Sequence, residues 1–173
     1  MKNYITIVLL ALLTVLAVSA FAEVGTRHEE KAGGFSYCAP KDWSFKKFNG
    51  LPYSIVLGPV VDNYPSNISV IDEQFDGTLK KYVDNAVVDG KKKFDNFLVI
   101  SRKSFETSNG ITGEEVVYTA KQGKYNLRQT QYFFAGPDKQ KITFTCSVLV
   151  KDGEKFSALF TESMKTFEFI TQE

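Results

Sequence analysis

Apolar residues in this 173-residue chain follow two rhythms, one alternating and one recurring every three to four positions. From Phe35 to Ala39 the alternation predicts a strand broken by Pro40, and Trp43 and Phe45 continue an aromatic segment. Leu51 to Leu57 reads as a second strand ended by Gly58-Pro59, and Asn67 to Ile71 as a third. Asp62-Asn63-Tyr64-Pro65-Ser66 between them is rich in turn formers and reads as a loop. After Gly77 the period changes. Leu79, Tyr82, Val83, Ala86, Val87 and Phe94 recur at helical spacing, opposite Lys80, Lys81, Asp84 and Asp89, as in a helix laid on a sheet. Asp76 or Thr78 can cap its start.

Four strands are expected beyond this helix, at Leu98–Phe105, Gly113–Ala120, Tyr125–Ala135 and Lys141–Val150. Asn109-Gly110, Gln122-Gly123-Lys124 and Gly136-Pro137-Asp138 separate them. Links this short join only antiparallel neighbours, because a parallel crossover needs a dozen or more residues, so this half is a meander. In its last strand Ile142, Phe144, Cys146, Val148 and Val150 share one face and Thr143, Thr145 and Ser147 the other, which predicts one buried and one wetter side. A second helix is expected from near Asp152, with Phe156, Leu159, Phe160, Ser163 and Phe167 on one face. Phe167-Glu168-Phe169 closes the chain as a short strand.

The first 22 residues read as a signal peptide. Lys2 supplies a positive charge, Ile5 to Val18 is almost wholly apolar, and Ala20-Phe21-Ala22 offers small residues for cleavage before Glu23. An uncleaved anchor is the competing reading, since the apolar run nears the roughly 20 residues that span a bilayer. Cleavage predicts a periplasmic or secreted protein with no stable membrane insertion. Residues 23–34 are polar, end in Gly33-Gly34 and read as a flexible lead-in that carries the chain's one histidine, His28. Residues 35–173 are read as a single domain.

Loss of Lys2 from a formal charge of +1 leaves basic and acidic residues equal in number, so a nucleic-acid partner is not expected. Lys91-Lys92-Lys93 is the densest basic cluster and suits the negative end of a helix dipole. Catalytic and metal constellations fail on inspection. The chain lacks a Gly-x-Ser-x-Gly elbow, and any Ser/His or Cys/His pair would depend on His28. Glu114 and Glu115 are neighbours on a strand and point to opposite faces. Asp72, Asp76 and Gly77 loosely suggest a calcium loop, but Gln74 and Val83 occupy positions where ligands are required. No catalytic residue, cofactor or metal is therefore expected. Asn67-Ile68-Ser69 fits a glycosylation acceptor, relevant only in a eukaryotic secretory pathway.

The two cysteines sharpen the question of compartment. An even count in an exported chain favours a disulfide between Cys38 and Cys146. Cys146 shares parity with Phe144, whereas Cys38 alternates with Phe35 and Tyr37, so whether both reach one layer depends on how the strands pack.

The ordered set of a Phe-x-Tyr-x-x-Pro-x-x-Trp opening (Phe35, Tyr37, Pro40, Trp43), the Gly77-Thr78-Leu79 helix start with Tyr82, and the Phe160, Met164, Phe167-Glu168-Phe169 ending resembles the PsbP-like superfamily. Its bacterial branch includes the DcrB-type periplasmic proteins. The resemblance implies an α+β fold, an antiparallel sheet flanked by helices in an α/β/α sandwich. It implies little about activity: members serve as photosystem II accessory subunits, as a Ran-binding nuclear protein and as bacterial envelope proteins. A fold hosts unrelated functions, so function must be argued from a site.

Binding remains as the expected activity. The first expectation is a non-enzymatic module that binds an envelope or extracellular partner protein, with the loop Gly58–Ser66 and Tyr64 as the contact. The second is a carrier of a small apolar or lipid-like ligand, with Tyr118, Tyr125, Tyr132 and Phe134 lining a cleft between sheet and helix. Core packing is the competing reading for those four rings.

Overall fold

A computed structural model describes residues 23–170. The proposed signal peptide, residues 1–22, lies outside them. Ten strands and two helices follow in the order β1 (Val24–Glu30), β2 (Phe35–Pro40), β3 (Ser44–Lys46), β4 (Ile55–Val61), β5 (Tyr64–Gln74), α1 (Leu79–Lys93), β6 (Asp95–Glu106), β7 (Thr112–Gln122), β8 (Tyr125–Ala135), β9 (Gln140–Leu149), α2 (Gly153–Lys165) and β10 (Glu168–Phe169). A 3-10 turn at Lys31–Gly33 links β1 to β2, and another at Val150–Asp152 leads into α2.

The strands form two antiparallel sheets. Seven run in the order β3-β4-β5-β9-β8-β7-β6, and three in the order β1-β2-β10. The expected α+β architecture holds, and the meander of β6 to β9 is present with continuous β7–β8 and β8–β9 pairing. The β5–β9 ladder, from Asn67↔Ser147 to Gln74↔Gln140, joins this meander to the first half of the chain.

Alternation explains the layers. Phe35, Tyr37 and Ala39 of β2 point inward to meet Val56, Ile68, Val70, Tyr132, Phe134, Ile142, Phe144, Cys146 and Val148 of the large sheet, and Phe156, Phe160 and Met164 of α2 complete this core. On the opposite face α1 lays Leu79, Tyr82, Val83, Ala86 and Val87 over Val116, Tyr118, Ala120 and Phe133. The helical spacing read from the sequence thus selects the buried face of α1. Of its two candidate caps, Thr78 fills the role: its Oγ1 accepts from the Lys81 amide at 3.2 Å. Lys91, Lys92 and Lys93 fall in the last turn and are exposed, where cations complement the dipole.

Four expectations need correction. Residues 24–30 form β1, paired with β2 from Val24↔Pro40 to Glu30↔Phe35, in place of a flexible lead-in. The His28 ring stacks on Phe45 at 3.8 Å and its Nε2 lies 3.1 Å from Glu30 Oε1, so the histidine is a packing group. Gly58-Pro59 does not end β4; the proline, which cannot donate to a ladder, sits in a break of register between Leu57 and Val60. The loop at 62–66 shrinks to Asp62 and Asn63, whose φ of 48° and 61° place both in the left-handed region of a tight hairpin turn. Lastly, Cys38 and Cys146 are both free. Cys146 lies wholly within the core, while strand alternation turns Cys38 to the other face of β2 with Ser36, opposite Arg27.

Candidate functional site

Antiparallel pairing brings three chain segments to one end of the large sheet. Tyr64 opens β5, Tyr125 opens β8, and Leu149 ends β9; these ends coincide because Asn67 and Gln129 both pair with Ser147. The rings of Tyr64 and Tyr125 meet there with centroids 5.0 Å apart. The Tyr125 hydroxyl donates to the Asn63 carbonyl at 3.0 Å and so ties the β7–β8 hairpin to the β4–β5 turn. Lys124 lies 5.1 Å from the Tyr125 ring centroid, and Lys151 bridges to Asp62 at 2.7 Å.

A polar chain ends on the Tyr64 hydroxyl and holds that ring in place. Tyr118 donates to Gln129 Oε1 at 2.5 Å, Gln129 Nε2 donates to Ser147 Oγ at 3.1 Å, and Ser147 Oγ lies 2.6 Å from the Tyr64 hydroxyl. Asn67 Nδ2 donates to that hydroxyl at 3.2 Å. The chain crosses β7, β8, β9 and β5, with Gln129 and Ser147 buried. Buried polar groups must be satisfied, so this network fixes side-chain orientation beneath Tyr64. Burial holds the Tyr118 phenol above its ordinary range, which keeps it a donor. The amide of Asn67, the glycosylation candidate, is committed within the network and to the Pro65 carbonyl.

Beside the rings is an open depression of about 800 Å3, lined among others by Asp62, Lys124, Tyr125, Leu149, Val150 and Lys151. Val150 is 45% exposed, an apolar side chain left on the surface between two lysines and a tyrosine. Sequence reading found Tyr64 and Tyr125 but missed Lys124, Val150 and Lys151. Both turns carried a signal; their convergence depends on strand order and register, which no local pattern encodes.

The remaining ring candidates do not line this surface. Tyr132 and Phe134 are buried under α2, where Tyr132 packs edge-on to Phe105 at 4.8 Å and Phe134 stacks on Phe167. Tyr118 is buried under α1 against Phe97. Core packing is therefore the role of these three. Glu114 and Glu115 take opposite faces as alternation requires: Glu114 binds Arg102 at 2.6 Å and Glu115 lies 3.2 Å from Lys103. Asp72 accepts from Gln140 and Asp76 pairs with Lys139, so the loosely calcium-like carboxylates turn to separate partners. Among the described residues no group of three His, Cys, Asp or Glu is placed to hold a metal ion, and no helix is long and apolar enough to cross a membrane.

No protein-family model and no curated protein matches the sequence. Solved structures do. The solution structure of cyanobacterial PsbP (CyanoP) from Synechocystis sp. PCC 6803 superposes with a TM-score of 0.61 at 15% identity, covering 91% of this chain and 98% of that one. The fold is PsbP-like. LpqN of Mycobacterium tuberculosis, a protein involved in cell envelope biogenesis, matches at a TM-score of 0.64 and 13% identity over 85% of this chain and 86% of its own. A Pseudomonas aeruginosa protein of unknown function, a putative regulator, matches at 0.59 and 14% over 86% and 97%. Identities this low extend the PsbP-like likeness to the fold alone.

Proposed function

We propose that this chain is an exported, non-enzymatic PsbP-like module, of the DcrB-type periplasmic kind, that binds an envelope or extracellular partner protein through the end of the sheet carrying Tyr64 and Tyr125. The observation that carries the reading is the meeting of those two rings at 5.0 Å beside exposed Val150, Lys124 and Lys151. Loops on a rigid scaffold are where recognition concentrates, and a tyrosine anchored by its hydroxyl supplies large contact area at low entropy cost. Export would place this surface in the envelope, the compartment in whose biogenesis the mycobacterial neighbour LpqN is involved.

Docking would cover Val150 and the Tyr125 face while Lys124 and Lys151 form a charged rim. Affinity isolation from native envelopes tests it. The Val150→Asp variant is expected to lose the co-isolated protein and to keep the unfolding midpoint of the parent, and Tyr125→Ser to lose it with a lowered midpoint, since it also removes the tie to the Asn63 carbonyl. Retention of the same partner by both variants would contradict the docking surface, and substrate turnover by the purified chain would contradict a non-enzymatic role.

The depression itself favours a second reading. Its volume of about 800 Å3 lies within the 300–1,000 Å3 usual for ligand pockets, and Ala120, Leu149 and Val150 give it apolar surface. A carrier of a small apolar or lipid-like molecule would retain ligand in native mass spectrometry after gentle purification. Ligand-free spectra together with co-isolation of a protein would favour the first reading.

A further inference from the structure

The two edges of the large sheet differ. β3 ends one side with three residues, whereas β6 ends the other with twelve, and its outer rim is paired with no strand among the described residues. Such a rim is a template for another strand, and proteins usually keep it short or free of apolar side chains. β6 does neither: Leu98 is 64% and Ile100 48% exposed. On one face α1 covers Phe97 and Val99 of this strand; on the other, α2 packs on β2, β8 and β9 and leaves the edge open.

The pairing of β6 with β7 sets the register that a second strand would meet. Val99 lies opposite Tyr118, Asp95 opposite Lys121 and Lys103 opposite Glu115. Asp95 and Lys103 are therefore each three ladder positions from Val99, because the irregularities at 95–98 and 99–101 insert one extra residue on either side of it. Val99 faces α1, so an odd number of steps turns both charges to the α2 side. Leu98 and Ser101 are each one position from Val99, and Ile100 is the extra residue between Val99 and Ser101, without a partner on β7. The edge is thus self-complementary about Val99: turned through half a rotation, it sets Asp95 against Lys103 and Leu98 beside Ile100 and Ser101.

The cation of that pair is free to accept a second carboxylate. Lys103 Nζ lies 3.2 Å from Glu115, whose side chain is 6% exposed, while the lysine side chain is 64% exposed. Its ammonium is open to approach from solvent.

We propose that two copies of this chain pair edge to edge through β6, antiparallel about a two-fold axis at Val99, joining their seven-stranded sheets into one. Every contact then occurs twice, as an isologous interface requires. Asp95 of each copy meets Lys103 of the other, and Leu98 of each meets Ile100 of the other, removing from water apolar surface that the single chain leaves exposed.

Zero-length carbodiimide coupling of the exported protein, in an equal mixture of isotope-labelled and unlabelled chains, tests this when the new amides are mapped by mass spectrometry. Within one chain Asp95 and Lys103 stand about 20 Å apart, six ladder positions at roughly 3.3 Å each, too far for a direct amide. The expected product is an Asp95–Lys103 amide joining a labelled to an unlabelled chain. Sedimentation velocity from about 1 μM to about 1 mM should show a monomer–dimer equilibrium. Leu98→Lys, and Asp95→Lys, which sets lysine opposite lysine, should each weaken it at least about tenfold. Both positions are exposed, so circular dichroism should be unchanged. A monomer at every concentration, a dimer that neither variant weakens, or a dimer whose amide links avoid β6 would overturn the proposal. A monomeric chain whose Asp95 or Lys103 couples to a different protein in native envelopes would overturn the assignment of a second copy as the occupant.

Discussion

Phe134 and Phe167 stack face to face, 4.2 Å between centroids and 12° between planes, with both side chains wholly buried. Phe134 comes from the meander and Phe167 from the turn after α2, so the pair joins the sheet to the end of the chain. Phe167 also meets Phe35, Phe144 and Phe169. Phe167→Ala is expected to cost about 3–5 kcal/mol, the range for deleting a buried phenylalanine. Val60→Ala, at a side chain 67% exposed, should stay within about 0.5 kcal/mol. Urea unfolding of the two variants checks the contrast.

The cysteines give a covalent test. Both thiols are free, Cys38 half-buried and Cys146 wholly buried, and burial with the nearby Glu115 carboxylate pushes the Cys146 thiol well above its ordinary value. Iodoacetamide should label Cys38 slowly in the folded protein and Cys146 only after unfolding, because the thiolate is the reactive form. Intact mass after unfolding without reductant should show two labels. A mass two hydrogen atoms short, with no label, would mean that the thiols had been oxidised to a disulfide and that the strands rearrange to bring the sulfurs together.

The order of the elements was legible because each carries its own period, and spacing alone picked the buried face of α1 and part of that of α2, where Phe156, Phe160 and Ser163 are buried together with Met164, which the spacing had not singled out, and Phe167 lies beyond the helix end at Lys165. β1 was not legible. Val24-Gly25-Thr26-Arg27-His28-Glu29-Glu30 has no apolar alternation, and its stability comes from the β2 ladder and from contacts such as Arg27 with Ser36 and Glu168. Pro59 misled because a proline reads as a stop, whereas an irregular stretch of ladder tolerates one. At the candidate site, Tyr64 and Tyr125 were legible as aromatic residues near turns. Val150 and Lys151 were not, since only the three-dimensional register brings the end of β9 beside the other two segments.

Alkaline pH should unfold the protein. Burial holds the phenols of Tyr37, Tyr53, Tyr118 and Tyr132 above the ordinary tyrosine range and pushes Tyr82 up to about 12. A folded-state value raised above the unfolded value means that the folded state holds its proton more tightly. The stability from these five groups is therefore complete below about pH 10 and declines as pH rises towards 12 and beyond. Ultraviolet titration should show these tyrosines ionising together with loss of circular dichroism. Smooth ionisation of every tyrosine near pH 10 with the fold intact would be inconsistent with their burial.

At acid pH the link between α1 and the sheet should weaken first. Arg102 reaches Asp84 of α1 at 2.5 Å and Glu114 of β7 at 2.6 Å, and its hydrogen bond together with that of Lys80 holds the Asp84 carboxyl below its ordinary value. A lowered folded-state value contributes stability that is complete above about pH 3.9 and is lost as pH falls through the lowered value. Arg102→Met should remove part of that acid dependence and raise amide exchange in α1 more than in α2. Equal exchange in the two helices would remove Arg102 from the link.

The proposed partner-binding surface faces its most direct test in site-specific photocrosslinking within the native envelope. A photoreactive residue at Val150 is compared with one at Asp138, an exposed position in the β8–β9 turn at the opposite end of the sheet. The expected result is one crosslinked protein from Val150, abolished by Tyr125→Ser, and none from Asp138. Equal crosslinking from the two positions, or crosslinking from Val150 that survives Tyr125→Ser, would contradict a partner-binding face built on Tyr64 and Tyr125.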